Sequence, residues 1–179
     1  LIKDKRVQSF PELIALAFWM RKANLSIIQD KFFSERKNRI FFARGTVFHV
    51  APSNVDSIFI YSMILSMIMG NKNIVRVSRN TNSTQFQLII NILNTLFLKD
   101  EWSEIASKNY ILSYEYDNNI NKYFSSKADV RVVWGGDKTI EKFRKYPLNP
   151  NAMELCFANK RSICLLNSKE INRLKEQEL

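Results

Sequence analysis

The residues able to do chemistry in this chain are few, and their spacing separates the possibilities. Gly135 and Gly136 stand before Asp137, Lys138 and Thr139 in the run "VVWGGDKTIEKF". A glycine pair between a β-branched run and an amphipathic one lets backbone approach a phosphate at the start of a helix. No G-x-G-x-x-G spacing accompanies it, and a plain turn whose helix is capped by Asp137 reads equally well. Cys156 and Cys164 sit in apolar, strand-like runs, where a thiol is more often a small buried hydrophobe than a nucleophile. With His49, the one histidine, they make no cluster of metal-ligand spacing, so no metal site is expected.

Those residues must be held by elements, and the chain announces them. "TVFHVA", "NIVRVS", "NYILSYEY" and "ADVRVVW" are β-rich runs, and "MELCFA" and "SICLLN" are two shorter ones. Between them lie the apolar helix Ile58 to Met69, the amphipathic "NSTQFQLIINILNTLFL" capped near Ser83, and the shorter "DNNINKYFSS" and "IEKFRKY". A further helix is expected to start in "SKEINRLKEQEL". Strand and helix in alternation predict a Rossmann-like α/β fold, a parallel sheet with crossover helices. A helix apolar on every side is expected to be buried all round as a core crossover. The first 44 residues read as a separate helical segment, with Ser9 as a cap, Pro11 in the first turn and a second helix in "LSIIQDKFFSERKNR".

The totals narrow the function classes. The 179 residues are 46% hydrophobic, enough for a real core. The run Ile58 to Met69 is shorter than the roughly 20 residues a membrane span needs. The formal charge of +10 combines 27 basic with 17 acidic residues spread along the whole chain. That balance suits a phosphate-bearing cofactor, and also a non-enzymatic basic module that holds nucleic acid or an acidic partner. With no five-residue basic block and no RNA-binding or zinc-finger signature, nucleic acid is the weaker choice. A reduced, cytoplasmic setting is the expectation from two scattered cysteines.

From about Arg44 to Asn167, roughly two thirds of the chain, the sequence resembles the cofactor-binding half of aldehyde dehydrogenases, and more narrowly the LuxC-type fatty acyl-CoA reductases. The stretches "GTVFHVAPSNVDSIFIYSMILSMIMGNKNIVRVS", "ADVRVVWGGDKTIEKFRKYPL" and "FANKRSICLLN" carry the resemblance through their order and spacing. It implies an NAD(P)-binding α/β domain over 45–179. It also implies an activity in which a cysteine-bound acyl thioester is reduced to an aldehyde, from an acyl-CoA or acyl-protein substrate. An acyl-transferring ligase partner and a homo-oligomer come with it. By the same resemblance the nucleophilic cysteine falls beyond Leu179, the catalytic domain lies outside this chain, and the 179 residues alone are inactive.

Site residues follow from the match position by position. Asn54, in the turn after Pro52 and Ser53, is placed to donate its side-chain amide to the oxyanion that forms on thiolate attack. Arg76 stands at a lysine-like position and Arg79 where relatives often hold the ribose with an acid. Two guanidiniums with the Ser78 hydroxyl suit a 2′-phosphate, so NADPH is expected over NADH. Gly135, Gly136, Thr139 and, more loosely, Lys138 are placed at the pyrophosphate. The family's general-base glutamate has no clear counterpart here: "MELCFANK" puts Cys156 at that position and Glu154 two residues away. Glu154 is therefore a candidate base only by proximity.

Overall fold

Five of the six strand-like runs form strands, and all five pair in parallel. They are β1 (Thr46–Val50), β2 (Lys72–Val77), β3 (Asn109–Ser113), β4 (Val130–Trp134) and β5 (Met153–Phe157), in the sheet order β3-β2-β1-β4-β5. A computed structural model of the chain describes residues 5–35, 38, 40–52, 57–78, 83–159 and 163–165. The helices are α1 (Pro11–Trp19), α2 (Lys22–Ser34), α3 (Ile58–Ile68), α4 (Thr84–Phe97), the single turn α5 (Ser103–Ala106), α6 (Asn118–Lys127) and α7 (Asp137–Arg144).

Alternation along each strand assigns the two faces of the sheet. Val75 and Val77 of β2 pack under Phe59, Ile60, Met63 and Ile64 of α3 and under Phe86, Leu88 and Ile89 of α4, with Leu13 and Leu16 of α1 in the same cluster. Phe48, Val50 and Val133 point the other way, onto Ala128 and onto Ile140 and Phe143 of α7. Val47, Val130 and Val132 form a smaller third cluster beside Trp134.

A row of polar side chains is buried among these apolar ones. The backbone carbonyl of Ile105 can only accept, so Asn109 must donate to it through Nδ2 at 2.7 Å, which leaves Asn109 Oδ1 as an acceptor. Asn73 Nδ2 donates to that oxygen at 2.7 Å. Asn73 Oδ1 then accepts from His49 Nε2 at 2.9 Å, and His49 Nδ1 accepts from the Ser62 hydroxyl at 2.8 Å. One carbonyl thus fixes the tautomer of a histidine two strands away. Burial pushes the His49 pKa down to about 4, against the opposing pull of the Asn73 bond.

Several local expectations are corrected. Ser9 ends a 3-10 turn (Lys5–Ser9) and caps nothing; Phe10 is the N-cap of α1, with Pro11 in the first turn as expected. Ser83 does cap α4, accepting from Phe86 N. Asp137 is the first residue of α7 and not its cap, because helical geometry begins directly after Gly136. The strand expected through Tyr116 stops at Ser113. Ile163–Leu165 forms no strand, and the helix expected in "SKEINRLKEQEL" lies outside the described residues. The helix α3 is buried along one stripe only, since Leu65 and Ile68 remain 43% and 51% exposed. Its apolar back exceeds what the sheet and α4 cover. Among the described residues no helix is long and apolar enough to cross a membrane, and no group of His, Cys, Asp and Glu could hold a metal.

Candidate functional site

The strand order reverses direction at β1, with β2 and β3 on one side and β4 and β5 on the other. Loops leaving neighbouring strands on opposite sides of such a switch point diverge, and a crevice opens at the carboxyl ends. A cleft of about 620 Å³ lies there. Its wall from β1 is Val50, Ala51 and Pro52, and from β4 it is Trp134, Gly135 and Gly136. Arg76 and Ser78 enter from the end of β2, Tyr116 from the loop after β3, and Lys138, Thr139, Lys142 and Phe143 from α7.

Sequence positions far apart are thus brought to one place. Pro52, Arg76, Ser78, Gly135, Gly136, Lys138 and Thr139, all expected at a dinucleotide site, line the same cleft. Ser53, Asn54 and Arg79 lie outside the described residues. Glu154 does not line the cleft. It sits on β5 opposite Arg131, three residues back from the strand's carboxyl end.

The cleft wall is cationic. Arg76, Lys138 and Lys142 line it, and no carboxylate does so among the described residues. The Lys142 ammonium lies 3.3 Å from the centre of the Tyr116 ring, and the Arg76 guanidinium lies 5.7 Å from the same ring and 5.3 Å from that of Tyr114. One ring therefore carries two cations, an arrangement that an anion between them would relieve. The Tyr116 and Tyr146 hydroxyls hydrogen-bond to each other, and Tyr146 donates to Asn118 Oδ1 at 2.7 Å. Tyr114 donates to Asn121 Oδ1 at 2.8 Å. Desolvation raises the pKa of both Tyr114 and Tyr146 to about 12, so these phenols stay protonated as donors.

Two buried donors in the wall have no partner, Arg76 Nε and Trp134 Nε1. Such orphans cost roughly 1–3 kcal/mol each unless something accepts from them. The helix α7 begins at the cleft with no side-chain cap, so its first backbone N–H groups face the same space. Gly135 is confined: a Cβ there would meet the Thr139 Cβ at 3.0 Å. At Gly136 it would meet Asn159 Nδ2 at 3.3 Å. Orphaned donors, an uncapped helix start and a close-approach glycine turn fit a phosphorylated dinucleotide.

The thiols and Glu154 are elsewhere. Glu154 Oε2 accepts from Arg131 Nε at 2.9 Å and from Nη2 of the same guanidinium, and Oε1 accepts from Arg144 Nε at 3.0 Å. Burial pulls the Glu154 pKa up, but the two guanidiniums outweigh it and hold the carboxyl below its ordinary value. A carboxylate so engaged neutralises the buried Arg131. Cys156 is half-buried beside Glu154, and burial and that carboxylate raise its pKa; Cys164 is exposed, not buried as its apolar run predicts.

Sequence reading missed Tyr116, Trp134 and Lys142. Lys142 lies one helical turn beyond Lys138 on α7, an i, i+4 spacing that could have been read once the cleft-facing stripe of α7 was known. Tyr116 carried no such signal, because its run reads as strand. A search of curated proteins finds no match for the chain. Residues 27–177, most of its length, match the acyl-CoA reductase (LuxC) family. The chain therefore belongs to the LuxC family of acyl-CoA reductases.

Proposed function

We propose that this chain is the NADPH-binding part of a fatty acyl-CoA reductase that releases an aldehyde from a cysteine-bound acyl thioester. The observation that carries this reading is the cleft at the switch point, lined by Arg76, Lys138 and Lys142 and by no carboxylate among the described residues. A ribose bearing only hydroxyls would favour an acceptor here; a 2′-phosphate needs cations.

Arg76 and the Ser78 hydroxyl hold the 2′-phosphate, joined by Arg79, the next residue in sequence. Gly135 and Gly136 admit the pyrophosphate to the N-terminus of α7, where backbone N–H groups, Lys138 and the Thr139 hydroxyl bind it. NADPH, when bound, supplies the hydride that reduces the acyl carbon. Asn54, two residues after Pro52 in sequence, donates to the oxyanion on that carbon, a contribution of roughly 3 kcal/mol to the barrier. Neither Cys156 nor Cys164 lines the cleft, so the thiolate that carries the acyl group is assigned to a cysteine outside these 179 residues. The acyl donor is an acyl-CoA or an acyl-protein delivered by a ligase partner, and the working enzyme is a homo-oligomer.

The basic-module alternative is disfavoured by the concave cleft at the strand ends, where Arg76, Lys138 and Lys142 converge. The test is turnover by the complete enzyme with a long-chain acyl-CoA. Oxidation of NADPH that depends on the acyl-CoA, with a kcat/KM well above that for NADH, is the expected result. An NADH preference, or turnover by the 179-residue chain alone, would refute the assignment.

A further inference from the structure

Tyr116 is the one residue of the described cleft lining that comes neither from the ends of β1, β2 and β4 nor from α7. It stands in the loop after β3, and β3 lies beside β2 with Leu112 paired to Arg76. The loop therefore leaves the sheet next to Arg76. From there Tyr116 reaches to α7, where the Lys142 ammonium is 3.3 Å from its ring centre, while the Arg76 guanidinium is 5.7 Å from the same centre. The ring thus spans the gap between the end of β2 and α7.

That ring is fixed in place. Tyr146 donates its hydroxyl proton to Asn118 Oδ1, so its oxygen is left to accept from the Tyr116 hydroxyl. Tyr146 in turn meets the buried Phe143 edge-on, with ring centres 5.4 Å apart. Tethered at its hydroxyl and met by a cation, Tyr116 still keeps 41% of its surface exposed. A flat ligand would therefore find a ring that needs little further ordering. The other aromatic rings of the wall are less available. Trp134 is already stacked on Phe157, with planes 7° apart, and stands at the end of β4; Phe143 is 1% exposed.

The chemistry of the ligand says what would lie there. On the cofactor reading, on which this inference rests, Arg76 and Ser78 hold a 2′-phosphate and the first turn of α7 holds the pyrophosphate. The base of the nucleotide is carried by C1′, which is bonded to C2′ and joined through the ring oxygen to C4′, the carbon that bears the 5′-phosphate arm. The base thus belongs to the sugar that links the two phosphates, and Tyr116 links the two protein groups that hold them. We infer that Tyr116 is the stacking platform for the adenine of the dinucleotide. Base on aromatic ring is a contact of π-faces, and it adds affinity that the cations cannot supply.

Titration calorimetry on the 179-residue chain tests this with two probes, adenosine 2′,5′-bisphosphate and inorganic pyrophosphate, the second having no base. Tyr116→Leu should weaken the bisphosphate about 5- to 150-fold, the worth of one base on an aromatic ring, and pyrophosphate by about twofold at most. Tyr116→Phe, which keeps the ring, should stay within about threefold of the wild type for both probes. In proton spectra the adenine ring protons should shift upfield on binding to the wild type and to Tyr116→Phe, and not to Tyr116→Leu. Equal loss of both probes in Tyr116→Leu, with circular dichroism unchanged, would overturn the platform and leave Tyr116 a prop for Arg76 and Lys142. Bisphosphate binding that Arg76→Ala weakens and Tyr116→Leu does not would overturn the platform alone, with the cofactor cleft standing. No binding of the bisphosphate to the folded wild type would overturn both.

Discussion

The Lys142 ammonium sits 3.3 Å from the centre of the Tyr116 ring, and Arg76 approaches the same ring at 5.7 Å. These three side chains come from a helix, a loop and a strand end separated by 26 to 66 positions in sequence, and they meet at one cleft wall. Arg76→Ala should weaken NADPH binding by about 10- to 100-fold, the worth of a charge-assisted bond. Lys142→Gln should cost about 2- to 5-fold. Both should leave NADH binding nearly unchanged, and paired titrations of the two nucleotides measure the difference.

Glu154 offers a sharp separation of structural from catalytic roles. Arg131 is 1% exposed and depends on it for neutralisation. Glu154→Ala leaves a buried guanidinium uncompensated and should destabilise the fold by roughly 3–5 kcal/mol. Nucleotide binding at temperatures where the variant is folded should not change. Urea unfolding followed by NADPH titration checks both halves.

Acid should unfold the protein partly through His49. Its folded pKa of about 4 is below the ordinary 6.5, so the native state binds fewer protons than the unfolded one. The associated stability is complete above pH 6.5 and is lost as pH falls from 6.5 to about 4, by about 3 kcal/mol in all. Glu154, also depressed, adds its loss only below its ordinary value of 4.5. Stability curves of the wild type and His49→Gln should therefore differ in slope between about pH 6 and 5, as measured by urea unfolding at each pH.

Gly45 carries a different kind of constraint. Its φ is +118°, and a Cβ there would collide with the Asp129 carboxylate, which accepts from Thr46 N at 2.7 Å. Gly45→Ala should cost roughly 2–4 kcal/mol, from backbone strain plus the displaced hydrogen bond. Calorimetric melting of the variant measures it.

What could be read from sequence divides along physical lines. The strands were legible because β-branched runs such as "NIVRVS" and "ADVRVVW" form five parallel strands wherever crossover helices intervene. The Gly135–Gly136 turn and Arg76 were legible as residues at strand ends, and they line one cleft, because each needs only its own strand end. The Tyr116–Lys142 contact was not, since it joins a loop to a helix whose approach is decided by the sheet order. The Glu154–Arg131 pair depends on the β4–β5 register, which no local pattern encodes. The reading of α3 as apolar all round was correct as composition, but composition cannot say how much of a helix its neighbours cover.

Trp134 lines the cleft, stacked on Phe157 with ring centres 3.8 Å apart, so its emission would report on a nucleotide bound in that cleft. Titrating NADPH and NADH into the folded chain while exciting tryptophan is the most direct test of the cleft's assignment. Saturable quenching is expected, at least about tenfold tighter for NADPH than for NADH and largely lost in Arg76→Ala. Equal or tighter binding of NADH, or no quenching by either nucleotide, would contradict it.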